Sequence, residues 1–100
     1  MRLSLEQQNA IRAASIAAFD AGVSVWLFGS RVDDNKRGGD IDLLIQPAPA
    51  ATSDLFSRKI RFLTRLEREL GERKIDVVIE VPHDTRPIVE VARATGVKLV

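Results

Sequence analysis

The segment FGSRVDDNKRGGDIDLLI, residues 28–45, joins the end of one apolar run to the start of the next. A Gly-Ser pair closes the first run, and Asp40 and Asp42 open the second. Because side chains alternate across a strand, Asp40, Asp42 and Leu44 are predicted to share one face, while Ile41, Leu43 and Ile45 share the other. Asp is disfavoured in strands, and two carboxylates on a partly buried face repel each other. A divalent cation between them would remove that conflict.

A third carboxylate, Asp76, interrupts the apolar run KIDVVIEV, residues 74–81. If this strand neighbours the one that follows Asp40, the carboxylates of Asp40, Asp42 and Asp76 can meet at one point. A lone Asp at a strand start is more often a turn or capping residue. Three of them in this arrangement instead indicate oxygen ligands for a hard ion, Mg²⁺ or Mn²⁺, and suit a two-metal site for phosphoryl chemistry.

The Gly-Ser pair, Gly29 and Ser30, is predicted to lie at the phosphate end of the same site. Gly lets the backbone approach a ligand closely, and Ser supplies a hydroxyl donor. If a short helical turn begins at Ser30 or Arg31, its free N–H groups would face a phosphate and Arg31 could add positive charge. An ordinary turn is the alternative explanation of the pair.

Hydrophobic periodicity predicts the element order α-β-β-α-β-α-β. The predicted elements span residues 5–21, 23–28, 40–45, 54–70, 74–81, 87–95 and 97–100. Helices of this length cover a sheet of three to four strands, so the predicted class is α/β (α+β), a small sheet flanked by helices. The 100 residues indicate one domain, residues 1–100.

Residues typical of helix ends define where the predicted helices begin and end, and the spacing of apolar residues predicts their inward faces. Ser4 and Gln7 match a capping box at the start of the first helix, and Gly22 suits its end. Ser53 is predicted to cap the second helix and Gly71 to end it. The inward face of the second helix is predicted from the spacing of Phe56, Ile60, Leu63, Leu66 and Leu70. The inward face of the last helix is predicted from Ile88, Val91, Ala92 and Thr95, and the outer face of the second helix carries Arg58, Lys59, Arg61, Arg65 and Arg68.

Composition narrows the function classes. Hydrophobic residues make up 45% and charged residues 29%, as in a globular domain, and the net charge of +1 gives no reason to expect an extended nucleic-acid-binding surface. The absence of Cys excludes disulfides and thiolate metal sites. No apolar stretch approaches the ~20 residues of a membrane span. The first residues lack the apolar core of a signal peptide, so a cytoplasmic location without a membrane partner is expected.

Taken together, Gly29-Ser30, a gap of about ten residues, Asp40-Ile41-Asp42-Leu43 and the later KIDVVI resemble the signature of the nucleotidyltransferase superfamily related to DNA polymerase beta. With 100 residues and no added substrate domain, the chain is similar to the minimal nucleotidyltransferase (MNT) family, antitoxin type, along nearly its whole length. One departure is Gly39, where many relatives carry Ser; it removes none of the metal ligands.

The resemblance implies a polymerase beta-like nucleotidyltransferase fold and a role for each motif residue. Gly29 and Ser30 would hold the triphosphate of a nucleotide. Asp40 and Asp42 would bind two Mg²⁺ ions, with Mn²⁺ as a substitute, and Asp76 would bind the catalytic ion and help to deprotonate the acceptor hydroxyl. The reaction implied is transfer of a nucleoside monophosphate, AMP from ATP, with pyrophosphate leaving.

The resemblance also implies a partner. MNT proteins are commonly paired with a small helical HEPN-domain toxin, which they neutralise by binding it in a hetero-oligomer, by adding AMP to one of its tyrosines, or by both. Two alternatives stay open. One is a catalytically idle protein of this fold that neutralises its partner by docking alone, and the other is transfer of the nucleotide to a small molecule.

Overall fold

The computed structural model describes residues 3–29, 40–71 and 74–100. Within these ranges the predicted order of three helices and four strands is confirmed. The elements are α1 (Leu5–Phe19), β1 (Ser24–Phe28), β2 (Ile41–Gln46), α2 (Leu55–Leu70), β3 (Ile75–Ile79), α3 (Pro87–Thr95) and β4 (Val97–Lys98), with a 3-10 turn at Pro49–Ala51 before α2. No helix in the described part of the chain is long and apolar enough to cross a membrane.

The four strands form one mixed sheet in the order β3-β2-β1-β4. β1 pairs antiparallel with β2 and with β4, whereas β2 pairs parallel with β3 across the α2 connection. Two register positions determine the site: Asp42 lies opposite Phe28 of β1 on one side and opposite Asp76 of β3 on the other. The predicted α/β (α+β) class, with a small mixed sheet flanked by helices, is therefore confirmed.

Each face of the sheet has its own apolar cluster. The larger cluster joins α1 and α2 to the face that carries Ile41, Leu43 and Ile45, all fully buried. The smaller cluster joins Leu44 to Val89 and Ala92 of α3 on the opposite face. The predicted alternation along β2 is confirmed, and Asp42 lies on the α3 face with Leu44.

The helix ends confirm some end signals and correct others. The capping box is present, since the Gln7 N–H donates to Ser4 Oγ at 3.0 Å and the Ser4 N–H donates to Gln7 Oε1 at 2.9 Å. α1 ends at Phe19 rather than at residue 21, because Asp20 takes a φ of 70° and leaves the helix. Gly71 ends α2 as predicted. The cap predicted at Ser53 is wrong: Asp54 is the N-cap, with a φ of 58° and no capping side-chain hydrogen bond.

The predicted inward faces of α2 and α3 are partly wrong. Phe56 is 78% exposed and Ile60 48% exposed, whereas the fully buried residues of α2 are Phe62 and Leu66. The contacts of α2 with the larger cluster come from Leu55, Phe62, Leu63, Leu66 and Leu70, a stripe with the same helical period but rotated around the axis. In α3 the buried residues are Val89 and Ala92, while Ile88 and Val91 are exposed.

Arg58 does not belong to the exposed basic row in which it was predicted. Its guanidinium donates to the Ala18 carbonyl at 2.9 Å and to the Ser53 carbonyl at 2.9 Å, and lies 3.7 Å from Asp20 Oδ1. These carbonyls and the carboxylate lie at the end of α1 and just before α2. Arg58 therefore fastens the two helices together, and its charge is used within the fold.

β3 ends at Ile79, two residues earlier than predicted, because a compact turn follows it. The Asp84 carboxylate accepts hydrogen bonds from the Val81 N–H at 3.2 Å and from the Arg86 N–H at 3.1 Å. The Arg86 guanidinium binds the same carboxylate, at 2.6 Å for its shortest contact, and donates to the Ile79 carbonyl at 2.7 Å. The turn is thus folded around one carboxylate that is only 3% exposed.

Asp84→Asn is expected to lower the melting temperature at pH 7 by a few degrees. Hydrogen bonds and the charge of Arg86 hold the pKa of Asp84 well below its ordinary value. A carboxyl group with a lowered folded-state pKa stabilises the fold above its unfolded pKa, about 3.9, and loses that contribution as the pH falls further. The difference between Asp84→Asn and wild type should therefore narrow below about pH 4.

A matched control for that prediction is Asp54→Asn. Asp54 is exposed and makes no capping hydrogen bond, and Asn tolerates its left-handed backbone. Thermal melts of both variants from pH 7 to pH 3 should separate them at neutral pH. Equal melting temperatures for the two variants across that range would contradict the role given to Asp84.

Candidate active site

Gly29 brings the Gly-Ser pair against Asp42. It follows β1 directly, with a φ of +79°, and Phe28 before it pairs with Asp42. A Cβ placed on Gly29 would collide with Asp42 Oδ2 and lie 3.1 Å from its Cγ. The absence of a side chain at this position is therefore what allows the backbone and the carboxylate to lie side by side. The predicted residues Ser30 and Arg31, and the helical turn predicted there, lie outside the described residues.

Asp42 and Asp76 form a carboxylate pair across two parallel strands. They occupy directly opposite positions in the β2–β3 register, so their backbones are about 4.8 Å apart. Burial raises the pKa of Asp42, and the charge of Asp76, a hydrogen bond between the two carboxyl groups and the charge of Asp40 raise it further. The predicted meeting of β2 with β3 is thus confirmed, and the pair carries the like-charge conflict that a cation would relieve.

Asp40 lies immediately before β2, at the same end of the sheet. The N–H of the next residue, Ile41, donates to the Lys74 carbonyl at 3.0 Å, which fastens the start of β2 to the start of β3. Asp40 and Asp76 are each 50% exposed at the side chain. The three predicted acids therefore lie at one open end of the sheet, although their degree of burial differs.

Lys74 is a site residue that the sequence analysis did not identify. Its Nζ lies 3.9 Å from Asp40 Oδ2 and 4.0 Å from Asp76 Oδ2, and its charge lowers the pKa of Asp42. The available signal was the strand alternation, since residue 74 shares a face with residue 76. A lysine beside a predicted acidic centre was therefore detectable once the strand was placed.

The residues fit a divalent metal ion by their chemistry. Their donor atoms are carboxylate oxygens, which Mg²⁺ and Mn²⁺ prefer. Burial first, and then the neighbouring carboxylates of Asp76 and Asp40, raise the pKa of Asp42. As the side chains stand, no group of three or more His, Cys, Asp or Glu within residues 3–29, 40–71 and 74–100 is arranged to hold a metal ion. The Lys74 ammonium instead lies beside two of the three carboxylates.

Aromatic side chains and α3 cover the sheet next to the acids. Trp26 and Phe28 are half-buried against the smaller apolar cluster. Arg93 lies over the Trp26 ring at 5.2 Å and pairs with Glu80. Lys98 lies over the same ring at 5.7 Å. This neighbouring surface is therefore amphipathic, with Phe28 between it and Asp42.

Gly29→Ala is expected to lower both stability and any activity of this site. Its φ of +79° costs an L-residue about 1–2 kcal/mol, and its Cβ would displace the Asp42 carboxylate. A displacement of ~1 Å in a reacting centre can cost about 10²-fold in rate. Melting temperature and the activity of the site should be measured on the same preparation.

Gly71→Ala is the matched control for that variant. Gly71 has the same φ of +79°, and no described atom lies within 4 Å of the position that its Cβ would take. It should lose comparable stability and keep its activity. If Gly29→Ala retained as much activity as Gly71→Ala, the close contact with Asp42 would have no functional meaning.

Comparison of the sequence with models of known protein families and with curated proteins finds no match. Membership of the minimal nucleotidyltransferase family therefore stays a prediction from the motifs of the chain.

Proposed function

We propose that the protein is a metal-dependent nucleotidyltransferase of the minimal type, which transfers AMP from ATP to a hydroxyl group. The observation that carries the proposal is the placement of Asp42, which lies opposite Asp76 in the β2–β3 register and directly against Gly29. That placement puts two carboxylates and the beginning of the Gly-Ser pair at one end of the sheet. The mixed four-stranded sheet with helices on both faces is consistent with a small fold of this kind.

The chain's own residues have separable roles in the proposed reaction. The acceptor oxygen forms a bond to the α-phosphorus of ATP, the bond from that phosphorus to the bridging oxygen breaks, and pyrophosphate leaves. Asp76, half exposed at the edge strand, accepts the proton of the acceptor hydroxyl. Asp42 is more enclosed than Asp76, because it lies between β1 and β3. It fixes the position of the acidic group and adds negative charge to it.

Divalent cations bound by Asp40, Asp42 and Asp76 would supply Lewis-acid stabilisation of the charge that develops on the phosphate oxygens. Gly29 keeps its backbone close to Asp42, so that a phosphate chain can approach the carboxylates without meeting a side chain. Ser30 and Arg31 are proposed as the further contacts of the triphosphate.

The proposed acceptor is a tyrosine hydroxyl on a cognate HEPN-type helical toxin, which makes the protein the antitoxin of a toxin–antitoxin pair. The support is the motif resemblance, together with the open position of the acids at the edge of the sheet, where a large acceptor can reach them. A cytoplasmic setting, in which ATP and Mg²⁺ are present, completes the proposal.

The test is transfer of label to the partner. The protein is incubated with ATP labelled at the α-phosphate, Mg²⁺ and the protein encoded next to it in the genome, and the label on each chain is measured. Label on a tyrosine of the neighbour, lost in Asp76→Asn, is the expected result. Absence of label on that neighbour, with antitoxic activity unchanged in Asp42→Ala, would refute the enzymatic role for this partner.

Neutralisation by docking alone is a second candidate function, favoured by the surface of the molecule. An open apolar groove of about 450 Å³ runs between α2 and the edge strand β3, beside Phe56 and Val81. Phe56 is 78% exposed and Val81 42% exposed, so the groove presents contiguous apolar surface to a partner. A triple variant of Gly29, Ser30 and Asp40 that still neutralised the partner fully would favour docking, and loss of neutralisation would favour catalysis.

A further inference from the structure

The backbone of Lys74 is anchored at the acidic end of the sheet. It directly precedes β3, and its carbonyl accepts the hydrogen bond of the Ile41 N–H at 3.0 Å, so its backbone is tied to the start of β2. Its ammonium reaches two carboxylates, that of Asp40 just before β2 at 3.9 Å and that of Asp76 in β3 at 4.0 Å. The anchored backbone and the two contacts together place one positive charge inside the acidic group.

The two ion pairs of the Lys74 ammonium are weak enough to be replaced by other partners. Its side chain is 69% exposed, and each contact is at the long end of the range for an ion pair. Exposed pairs of this type contribute little to stability, because solvent screens them and both side chains stay flexible. A lysine ammonium is a compact charge on a four-carbon stem, which can swing away while the backbone stays in place.

A divalent cation and the Lys74 ammonium need the same oxygen atoms. The atoms that this site offers to Mg²⁺ or Mn²⁺ as ligands are carboxylate oxygens. Two of them, Asp40 Oδ2 and Asp76 Oδ2, already lie near the Lys74 ammonium. A positive charge within about 4 Å of these oxygens opposes the approach of a second positive charge. The divalent cation and the Lys74 ammonium therefore cannot both bind these two oxygens at the same time.

We propose that Lys74 competes with the divalent cation for Asp40 and Asp76 and thereby sets the metal affinity of this centre. The proposal rests on the metal site of the proposed function and deepens it. Lys74 keeps the affinity for a free cation low, so that the centre takes up its metal together with the phosphates of the nucleotide. Those phosphates offer the displaced ammonium a new anionic partner.

The experiment is a calorimetric titration of Mn²⁺ alone into the folded protein at fixed pH and low ionic strength. Lys74→Met removes the charge and keeps a stem of similar length, whereas Lys74→Arg keeps the charge. Lys59→Met removes one positive charge from α2, which packs on the opposite face of the sheet. Asp42→Asn removes a proposed ligand.

Lys74→Met should bind Mn²⁺ about fivefold to tenfold more tightly than wild type, because one unit charge about 4 Å away is removed. Lys74→Arg and Lys59→Met should stay within about twofold of wild type, and the gain of Lys74→Met should shrink at ~1 M salt. Binding by Lys74→Met where wild type shows none would support the proposal equally well.

The other outcomes separate this inference from the proposed function. If wild type binds Mn²⁺, Asp42→Asn does not, and Lys74→Met binds no more tightly than wild type, Lys74 does not compete and this inference is wrong while the metal site stands. If neither wild type nor Lys74→Met binds Mn²⁺, the metal site itself is absent, and both proposals are overturned.

Discussion

Asp42→Asn is expected to lower the proposed nucleotidyl transfer by about 10²-fold, since even groups that only support metal ligands contribute 10–100-fold. The same change should raise the melting temperature at pH 7 by a few degrees. Burial and the neighbouring carboxylates of Asp76 and Asp40 raise the pKa of Asp42, so its charged form is disfavoured in the folded state. A neutral amide of the same shape removes that penalty.

The pH dependence of this stability gain has a definite sign. A carboxyl group with a raised folded-state pKa destabilises the fold when it is ionised, and the penalty is relieved as the pH falls through that pKa. Wild type and Asp42→Asn should therefore differ most at neutral pH and converge on acidification. Thermal melts check the predicted gain in stability, and transfer rates check the predicted loss of activity. Asp54→Asn is the control and should change neither. An Asp42→Asn variant that is less stable than wild type at pH 7 would contradict the electrostatic account of the site.

Phe62→Ala is expected to destabilise the fold by about 3–5 kcal/mol, the usual cost of removing a fully buried Phe. Phe62 is 0% exposed, and its ring meets Phe19 of α1 edge-on with centroids 5.8 Å apart. The pair joins the two helices that cover one face of the sheet. Since domains have only about 5–15 kcal/mol of stability, the variant should lose a large part of it. Denaturant unfolding measures the loss directly.

Phe56→Ala makes the same substitution six residues earlier on the same helix. Phe56 is 78% exposed, so its truncation should change the free energy of unfolding by no more than about 0.5 kcal/mol. The comparison tests which face of α2 is inward. Equal losses for the two variants would show that the orientation of α2 described here is wrong.

The strands and the positions of the acids could be predicted from the sequence, because successive side chains of a strand point to opposite faces of the sheet. β2 reads Asp, Ile, Asp, Leu, and a strand must place every second side chain on the same face. The prediction that Asp76 joins them required only that β3 neighbour β2, which the parallel pairing confirms. Strand bounds differed by one or two residues, as at β3, where the turn around Asp84 begins earlier.

The face of α2 could not be predicted in the same way. Phe56, Ile60 and Leu63 share helical spacing, but so do Leu55, Phe62 and Leu66, and apolar spacing alone does not choose between overlapping stripes. The choice is made by packing against α1, where Phe62 meets Phe19. Arg58 likewise looks like a surface charge until the end of α1 supplies its carbonyl partner, Ala18. Lys74 was not identified, although strand alternation places residue 74 on the same face as Asp76.

The most direct test of the central claim, that this end of the sheet binds a nucleotide through its acids, is a calorimetric titration. An ATP analogue with a methylene group between the α- and β-phosphates is titrated into wild type, Asp42→Asn and Asp76→Asn, with and without Mg²⁺. Binding that requires Mg²⁺ and is lost in both variants is the predicted result. Binding of equal strength in all three proteins, or no binding by wild type with Mg²⁺ present, would contradict the claim.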